Sequence, residues 1–171
     1  MKNFFGSLFY CYDIRMKYLL IRHAKTDANR LTRIAFGKEG APINSTGEQQ
    51  SLKLGVRLAK LGIDMTNEVV AVSELLRTRQ TAESAGFKHL SVRSILNEVN
   101  TDNPQRTLEL VAQAKLPKQA VTVAKAIIAN PPNEKLWVTH GLVIAAILVE
   151  LKLSDPKNFI PDYCEIREVE F

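Results

Sequence analysis

The chain has 171 residues, enough for one domain with a substantial core, and its 46% apolar and 24% charged composition is that of an ordinary globular protein. No apolar run approaches the ~20 residues that span a bilayer, so no membrane association is expected. The net charge of +5 suits an anionic substrate or a solvated surface. The basic residues are scattered and no recognition motif accompanies them, so nucleic acid is not an expected partner.

Residues 1–15 include Phe4, Phe5, Leu8, Phe9 and Tyr10, but Gly6 and Ser7 interrupt the apolar stretch and no small-residue cleavage site follows. This segment reads as a poorly ordered extension ahead of a domain over 16–171, not as a signal peptide. Tyr18-Leu19-Leu20-Ile21 has the short apolar run of a strand buried on both faces. A loop of mixed polarity follows to about Asn44. Ser45 and Glu48 then stand at capping-box spacing, predicting a helix start. Within that helix Leu54, Leu58 and Leu61 fall on one face, while Lys53, Arg57 and Lys60 form a solvated one.

Val69-Val70-Ala71-Val72 is a second buried strand, and a helix is predicted from about Glu74 to Ala85, ended by Gly86. A short strand or loop covers Leu90 to Leu96, with an irregular segment through Pro104. Helices are predicted from about Pro104 to Ala114 and from Lys118 to Ala129, where Asn130-Pro131-Pro132-Asn133 stops the second. Leu136-Trp137-Val138 is a third strand core. Leu142 to Leu151 is a nearly all-apolar, buried helix, and Tyr163 to Phe171 alternates like an edge strand. Alternating strands and helices with short connections predict an α/β fold: one three-layer sandwich with a mostly parallel sheet and helices on both faces.

The apolar strands end on chemistry-bearing residues: Arg22-His23, Ser73 and Thr139-His140. Ligands of open α/β sheets bind beyond the carboxyl ends of the strands, so three strand ends point to one crevice. Of three histidines, two close strands in this way; His89 has no such context and is taken as structural or exposed. Cys11 and Cys164 lie far apart without C-x-x-C or Cys/His ligand spacing. Neither a disulfide framework nor structural zinc is expected, and the reducing cytoplasm is the expected compartment.

Leu20-Ile21-Arg22-His23-Ala24-Lys25-Thr26-Asp27-Ala28-Asn29 resembles the R-H-G-x-T-x-x-N signature of the histidine phosphatase superfamily, the phosphoglycerate-mutase-like group. Pro42 to Gln50 resembles its P-L-T-x-x-G-x-x-Q helix start. Ser73 to Ala82 resembles S-P-L-x-R-A-x-Q-T-A, and Val138-Thr139-His140-Gly141 its V-x-H-G. Ala24 and Glu74 depart from the pattern where Gly and Pro are usual, and neither position supplies a reacting group. Lys25 stands where an acidic residue or Gln is frequent.

The resemblance implies a phosphoglycerate-mutase-like fold and a phosphatase that works through a covalent phosphohistidine on His23. It implies that Arg22, Asn29, Arg77 and His140 hold the phosphoryl group, with Thr26 in support. By position it implies Glu98 as general acid, with Asp102 and Glu83 as alternatives. An imidazole nucleophile must be neutral, and an unperturbed histidine is mostly so at pH 7. Planar guanidinium forks suit the equatorial oxygens of a transferring phosphoryl group. No cofactor is implied, and the two strand-end histidines lack a third ligand at metal-site spacing, so no metal is expected.

The stretch between the second Arg motif and the third strand is too short for a sizeable cap. The expected substrate is therefore a protein phosphohistidine or a phosphorylated small molecule in an open pocket. A non-catalytic phosphoprotein-binding domain and a mutase-type phosphotransferase are the alternative functions, the latter disfavoured because it needs enclosure against water.

Overall fold

The computed structural model describes residues 16–27, 39–100 and 103–171. The expected extension over 1–15, and Asn29 and Asp102, lie outside the described residues. The elements are β1 (Lys17–Arg22), α1 (Ser45–Lys60), β2 (Val69–Val72), α2 (Leu76–Ala85), β3 (His89–Val92), α3 (Pro104–Ala112), α4 (Lys118–Ala129), β4 (Leu136–Thr139), α5 (Gly141–Glu150) and β5 (Ile166–Glu170), with short 3-10 turns at Ser94–Leu96 and Pro156–Asn158.

The sheet order is β3-β2-β4-β1-β5. The first four strands pair in parallel, and β5 closes the edge antiparallel to β1, with Ile21 opposite Ile166. Successive strand residues face opposite ways, which splits the apolar residues into two cores. Tyr18, Leu20, Ala71 and Trp137 pack with Ala120, Ala124 and Ile127 of α4 and with Val143, Ile144 and Ile147 of α5. Ile21, Val70, Val72, Leu136 and Val138 pack with Leu54 and Leu58 of α1 and with Ala82 and Ala85 of α2. Trp137, Leu20 and Ile144 are fully buried, and each such side chain contributes about 1.5–3 kcal/mol from burial. The steps β1 to β2 and β2 to β3 move one way across the sheet with α1 and α2 on one face. The return from β3 to β4 carries α4 over the other face, as right-handed crossovers require.

The structure adjusts several local expectations. The N-cap of α1 is Asn44, whose Oδ1 accepts from the Gly47 N–H at 2.9 Å, so the Ser45–Glu48 pair is already one residue inside the helix. Leu61 is the C-cap and is 61% exposed, off the buried face. Gly47, Ser51 and Gly55 complete that face instead. A Cβ on Gly55 would lie 2.3 Å from the Ala85 carbonyl oxygen, so glycine there lets α1 and α2 cross closely. Helix α2 begins at Leu76, because Ser73 to Leu75 make a turn that the Ser73 and Thr78 hydroxyls tie together. His89 is exposed at the start of β3. No described helix is long and apolar enough to cross a membrane.

Candidate active site

Parallel pairing of β1 with β4 and of β4 with β2 puts their carboxyl ends on one edge of the sheet. The β1–β4 ladder runs one step past the strand: the His23 N–H donates to the Thr139 carbonyl at 2.9 Å. His23 and His140 are thereby neighbours, with ring centroids 5.2 Å apart. Three side-chain acceptors then brace the loops around them. Thr81 Oγ1 accepts from the Ala24 N–H at 2.9 Å, Gln50 Oε1 from Lys25 N–H at 3.0 Å, and Gln80 Oε1 from Ile43 N–H at 2.9 Å. Gly47 lets the start of α1 approach this loop, since a Cβ there would meet the Lys25 carbonyl at 2.3 Å.

The proton on His23 is placed by its neighbours. Nδ1 lies 2.7 Å from the Ala24 carbonyl, which can only accept, so Nδ1 carries the hydrogen. Nε2 is then a bare lone pair, and it accepts from Arg77 Nε–H at 3.2 Å. The ring is 6% exposed. Burial first, and the Arg77 and Arg22 guanidiniums after it, push its pKa down to about 3 against a raising pull from the Ala24 carbonyl. The neutral form thus persists throughout the physiological range.

That depression couples to stability. The unfolded ring titrates near 6.5 and the folded one near 3. Above the unfolded value neither state binds the proton. As pH falls through that window the unfolded chain takes up a proton the folded chain refuses, so stability is lost at up to about 1.4 kcal/mol per pH unit. Urea midpoints of His23→Gln are expected to fall less than those of the wild type between pH 7 and pH 5. Parallel slopes would mean that the folded ring accepts its proton normally.

Arg77 joins the remaining groups. It is 9% exposed on the first turn of α2. Its Nη2 lies 3.2 Å from His140 Nδ1 and 3.5 Å from Glu98 Oε2. A guanidinium has no acceptor, so His140 Nδ1 receives that hydrogen bond. Glu98 follows the 3-10 turn at Ser94–Leu96, with its side chain 24% exposed, and its Oε2 stands 3.4 Å from His140 Nδ1. Of the alternatives to it, Glu83 is exposed toward the far end of α2. His23, Glu98 and His140 present ligand atoms within 4.8 Å of one another, a set compact enough for a metal ion. Arg77 already supplies an N–H to all three, so a dication would have to displace a guanidinium. The cation that these three acceptors hold is therefore the Arg77 guanidinium, whose planar fork suits a phosphoryl group.

Arg22 is held differently. Its Nη1 donates to the Pro161 carbonyl at 2.7 Å, and its guanidinium carbon sits 3.9 Å from the centroid of Tyr163. Its Nε passes beside Gly141, where a Cβ would lie 3.0 Å away and would also strike Ile160 at 2.8 Å. His140 is the N-cap of α5 and makes no side-chain cap bond, which places the amino end of that helix beside the site. Reasoning from the sequence does not find Tyr163 or Pro161. They reach the site only because β5 doubles back against β1, and no local pattern marks them. Ser73 is visible as a strand end, but its contacts are not.

A family model described as "Histidine phosphatase superfamily (branch 1)" matches residues 18–109. "Uncharacterized phosphatase PhoE" of Bacillus subtilis is 28% identical over 157 residues, covering 81% of this chain and 78% of that protein. "Probable phosphoglycerate mutase GpmB" of Citrobacter koseri is 38% identical over 68 residues, 40% of this chain and 29% of the relative. Among solved structures, a phosphoglycerate mutase from Thermus thermophilus superposes with a TM-score of 0.65 at 23% identity, covering 90% of this chain and 92% of that one. A mycobacterial glucosyl-3-phosphoglycerate phosphatase in complex with VO3 does so at 0.58 and 19%, covering 90% of each chain. These last two carry the fold alone, a phosphoglycerate-mutase-like α/β sandwich. With the family model matching more than half of its residues, and His23, Arg77 and His140 meeting at the sheet edge, the chain belongs to the histidine phosphatase superfamily.

Proposed function

We propose that the protein hydrolyses a phosphomonoester or a protein phosphohistidine through a covalent phosphohistidine on His23. The carrying observation is the His23 ring: Nδ1–H is tied to the Ala24 carbonyl, and the Nε2 lone pair points at the Arg77 guanidinium. A phosphoryl group arriving there brings oxygens that take over Arg77's N–H donors and free the lone pair. Arg77, Arg22, His140 and the first turn of α5 then meet the charge spread over the equatorial oxygens.

In the first step the Nε2 lone pair forms a bond to phosphorus as the phosphorus–oxygen ester bond, or the phosphorus–nitrogen bond of a phosphohistidine, breaks. Glu98 gives its proton to the leaving oxygen or imidazole nitrogen. In the second step water attacks phosphorus, the nitrogen–phosphorus bond breaks, and the proton from water returns to Glu98. Two easier displacements replace one slow one. The phosphatase-named relative that spans most of the chain supports hydrolysis, whereas the mutase-named one matches a minor part of it. Protein phosphohistidine stands first among substrates because the sequence leaves little room for a cap that would enclose a small molecule.

A substrate panel with Glu98→Gln tests the reading. Alkyl phosphates need a proton on their leaving oxygen, so their kcat is expected to fall by about 10²–10⁴-fold. Nitrophenyl phosphate and phosphohistidine carry better leaving groups and are expected to lose far less. A uniform loss across the panel would remove Glu98 from the general-acid role. Absence of turnover by the wild type on every member from pH 5 to pH 8 would leave phosphoprotein binding as the function.

A further inference from the structure

Behind His140, away from Arg77, lies a buried hydroxyl pair to which the mechanism above gives no part. His140 Nε2 is 3.0 Å from Ser73 Oγ, and Ser73 Oγ is 2.9 Å from Thr78 Oγ1. Thr78 Oγ1 is in turn 2.8 Å from the Leu75 carbonyl and 3.2 Å from the Ser73 carbonyl. His140, Ser73 and Thr78 are all fully buried. Each hydroxyl has one proton, so the direction of the chain can be worked out.

The neutral imidazole of His140 carries one N–H. Its Nδ1 faces Arg77 Nη2, which only donates, so Nδ1 is bare and Nε2 holds the hydrogen. Nε2–H therefore donates to Ser73 Oγ. Thr78 spends its proton on a carbonyl, which leaves its oxygen to accept from Ser73 O–H. The Leu75 N–H adds a second donor to Ser73 Oγ at 3.2 Å. The reverse direction would require Nε2 and Nδ1 both to accept, and a neutral ring cannot do that. When His140 gains a proton it gains it at Nδ1, which then faces Glu98 Oε2 at 3.4 Å. The Nε2–Ser73 bond is the same in both states.

We propose that Ser73 and Thr78 are positioning residues that hold His140 as the Nε2–H tautomer, so that Nδ1 alone exchanges a proton and meets the phosphoryl oxygens. This rests on the hydrolase reading for its catalytic consequence, but not for its geometry. The blander role of Ser73, closing the turn into α2 through the Leu75 N–H, requires neither a partner in His140 nor an acceptor in Thr78. Among the described residues, the charged and titratable groups placed against the ring are Arg77, Glu98 and His23, and these lie on the Nδ1 side or beside the ring.

Long-range proton–nitrogen correlation spectra of the ¹⁵N-labelled full chain read the tautomer of each histidine directly. In the wild type, His23 is expected as Nδ1–H and His140 as Nε2–H. Thr78→Val keeps the shape and removes the acceptor, Ser73→Ala removes the link itself, and Thr78→Ser restores a hydroxyl. His140 is expected to become a tautomer mixture in Thr78→Val and Ser73→Ala while His23 keeps its own form, and to return to Nε2–H in Thr78→Ser. Turnover should fall by about 10- to 100-fold in the first two, as when orienting partners of other functional histidines are lost, with recovery in Thr78→Ser. An unchanged His140 tautomer in Ser73→Ala and Thr78→Val overturns the proposal whatever happens to activity. So does an equal loss in Thr78→Ser and Thr78→Val. A wild type without turnover that still shows the tautomer change defeats the hydrolase reading and leaves the positioning intact.

Discussion

His23→Ala is expected to lower kcat on a chromogenic phosphomonoester by about 10⁴-fold or more, the scale at which loss of a nucleophile leaves only binding and electrostatic stabilisation. The residue sits one step past β1, held by its backbone to β4 and by its ring to the Ala24 carbonyl. The Ser73 hydroxyl lies behind His140 in a committed hydrogen-bond chain and does not offer a substitute. Acid-sensitive, base-stable labelling of the wild type from a phosphorus-32 donor should vanish in the variant. Equal rates in the two proteins would show that phosphoryl transfer, if present, does not pass through this ring.

Arg77→Ala is the second large effect. One guanidinium reaches His23, His140 and Glu98, so the loss removes charge and geometry together. Removing a single preorganised donor from a developing anion costs about 10²–10³-fold, and Arg77 supplies several, so kcat/KM is expected to fall by at least about 10³-fold. Arg77→Lys should recover little, because an ammonium on a flexible stem cannot span three partners. Inhibition by inorganic phosphate should weaken in both variants. The His23 pKa should rise in Arg77→Ala, since a cation that now depresses it is gone. Near-complete activity in Arg77→Lys would show that charge alone matters and that the fork does not.

How far the sequence carried the fold follows from what is local. Strand cores such as Tyr18-Leu19-Leu20-Ile21 and Leu136-Trp137-Val138 announce themselves by short apolar runs, and the helix over Lys118–Ala129 by the proline pair that stops it. Boundaries were less legible. Asn44 and Ser45 are both good caps, and only the contact with the Gly47 N–H decides between them. Leu61 continues a helical period that the backbone has already left. The site showed the same division: the strand-end positions of His23, Ser73 and His140 were readable, and the approach of Glu98 rested on likeness to a family motif.

Local sequence is enough to say which residues end the strands, and with them that a histidine, a hydroxyl and a second histidine stand at one edge of a parallel sheet. Strand termination and side-chain alternation are properties of a few consecutive residues. Where the protons lie is a matter for the assembled fold. The Nδ1–H of His23 follows from the Ala24 carbonyl on one side and Arg77 on the other, and the Nε2–H of His140 from Arg77 and the Ser73–Thr78 pair. Arg77 is 54 residues from one ring and 63 from the other. The stacking of Arg22 on Tyr163 likewise waits on β5 returning to β1. A tautomer is a choice between two nitrogens of similar affinity, and only donors and acceptors fixed in space by the whole sheet can make it.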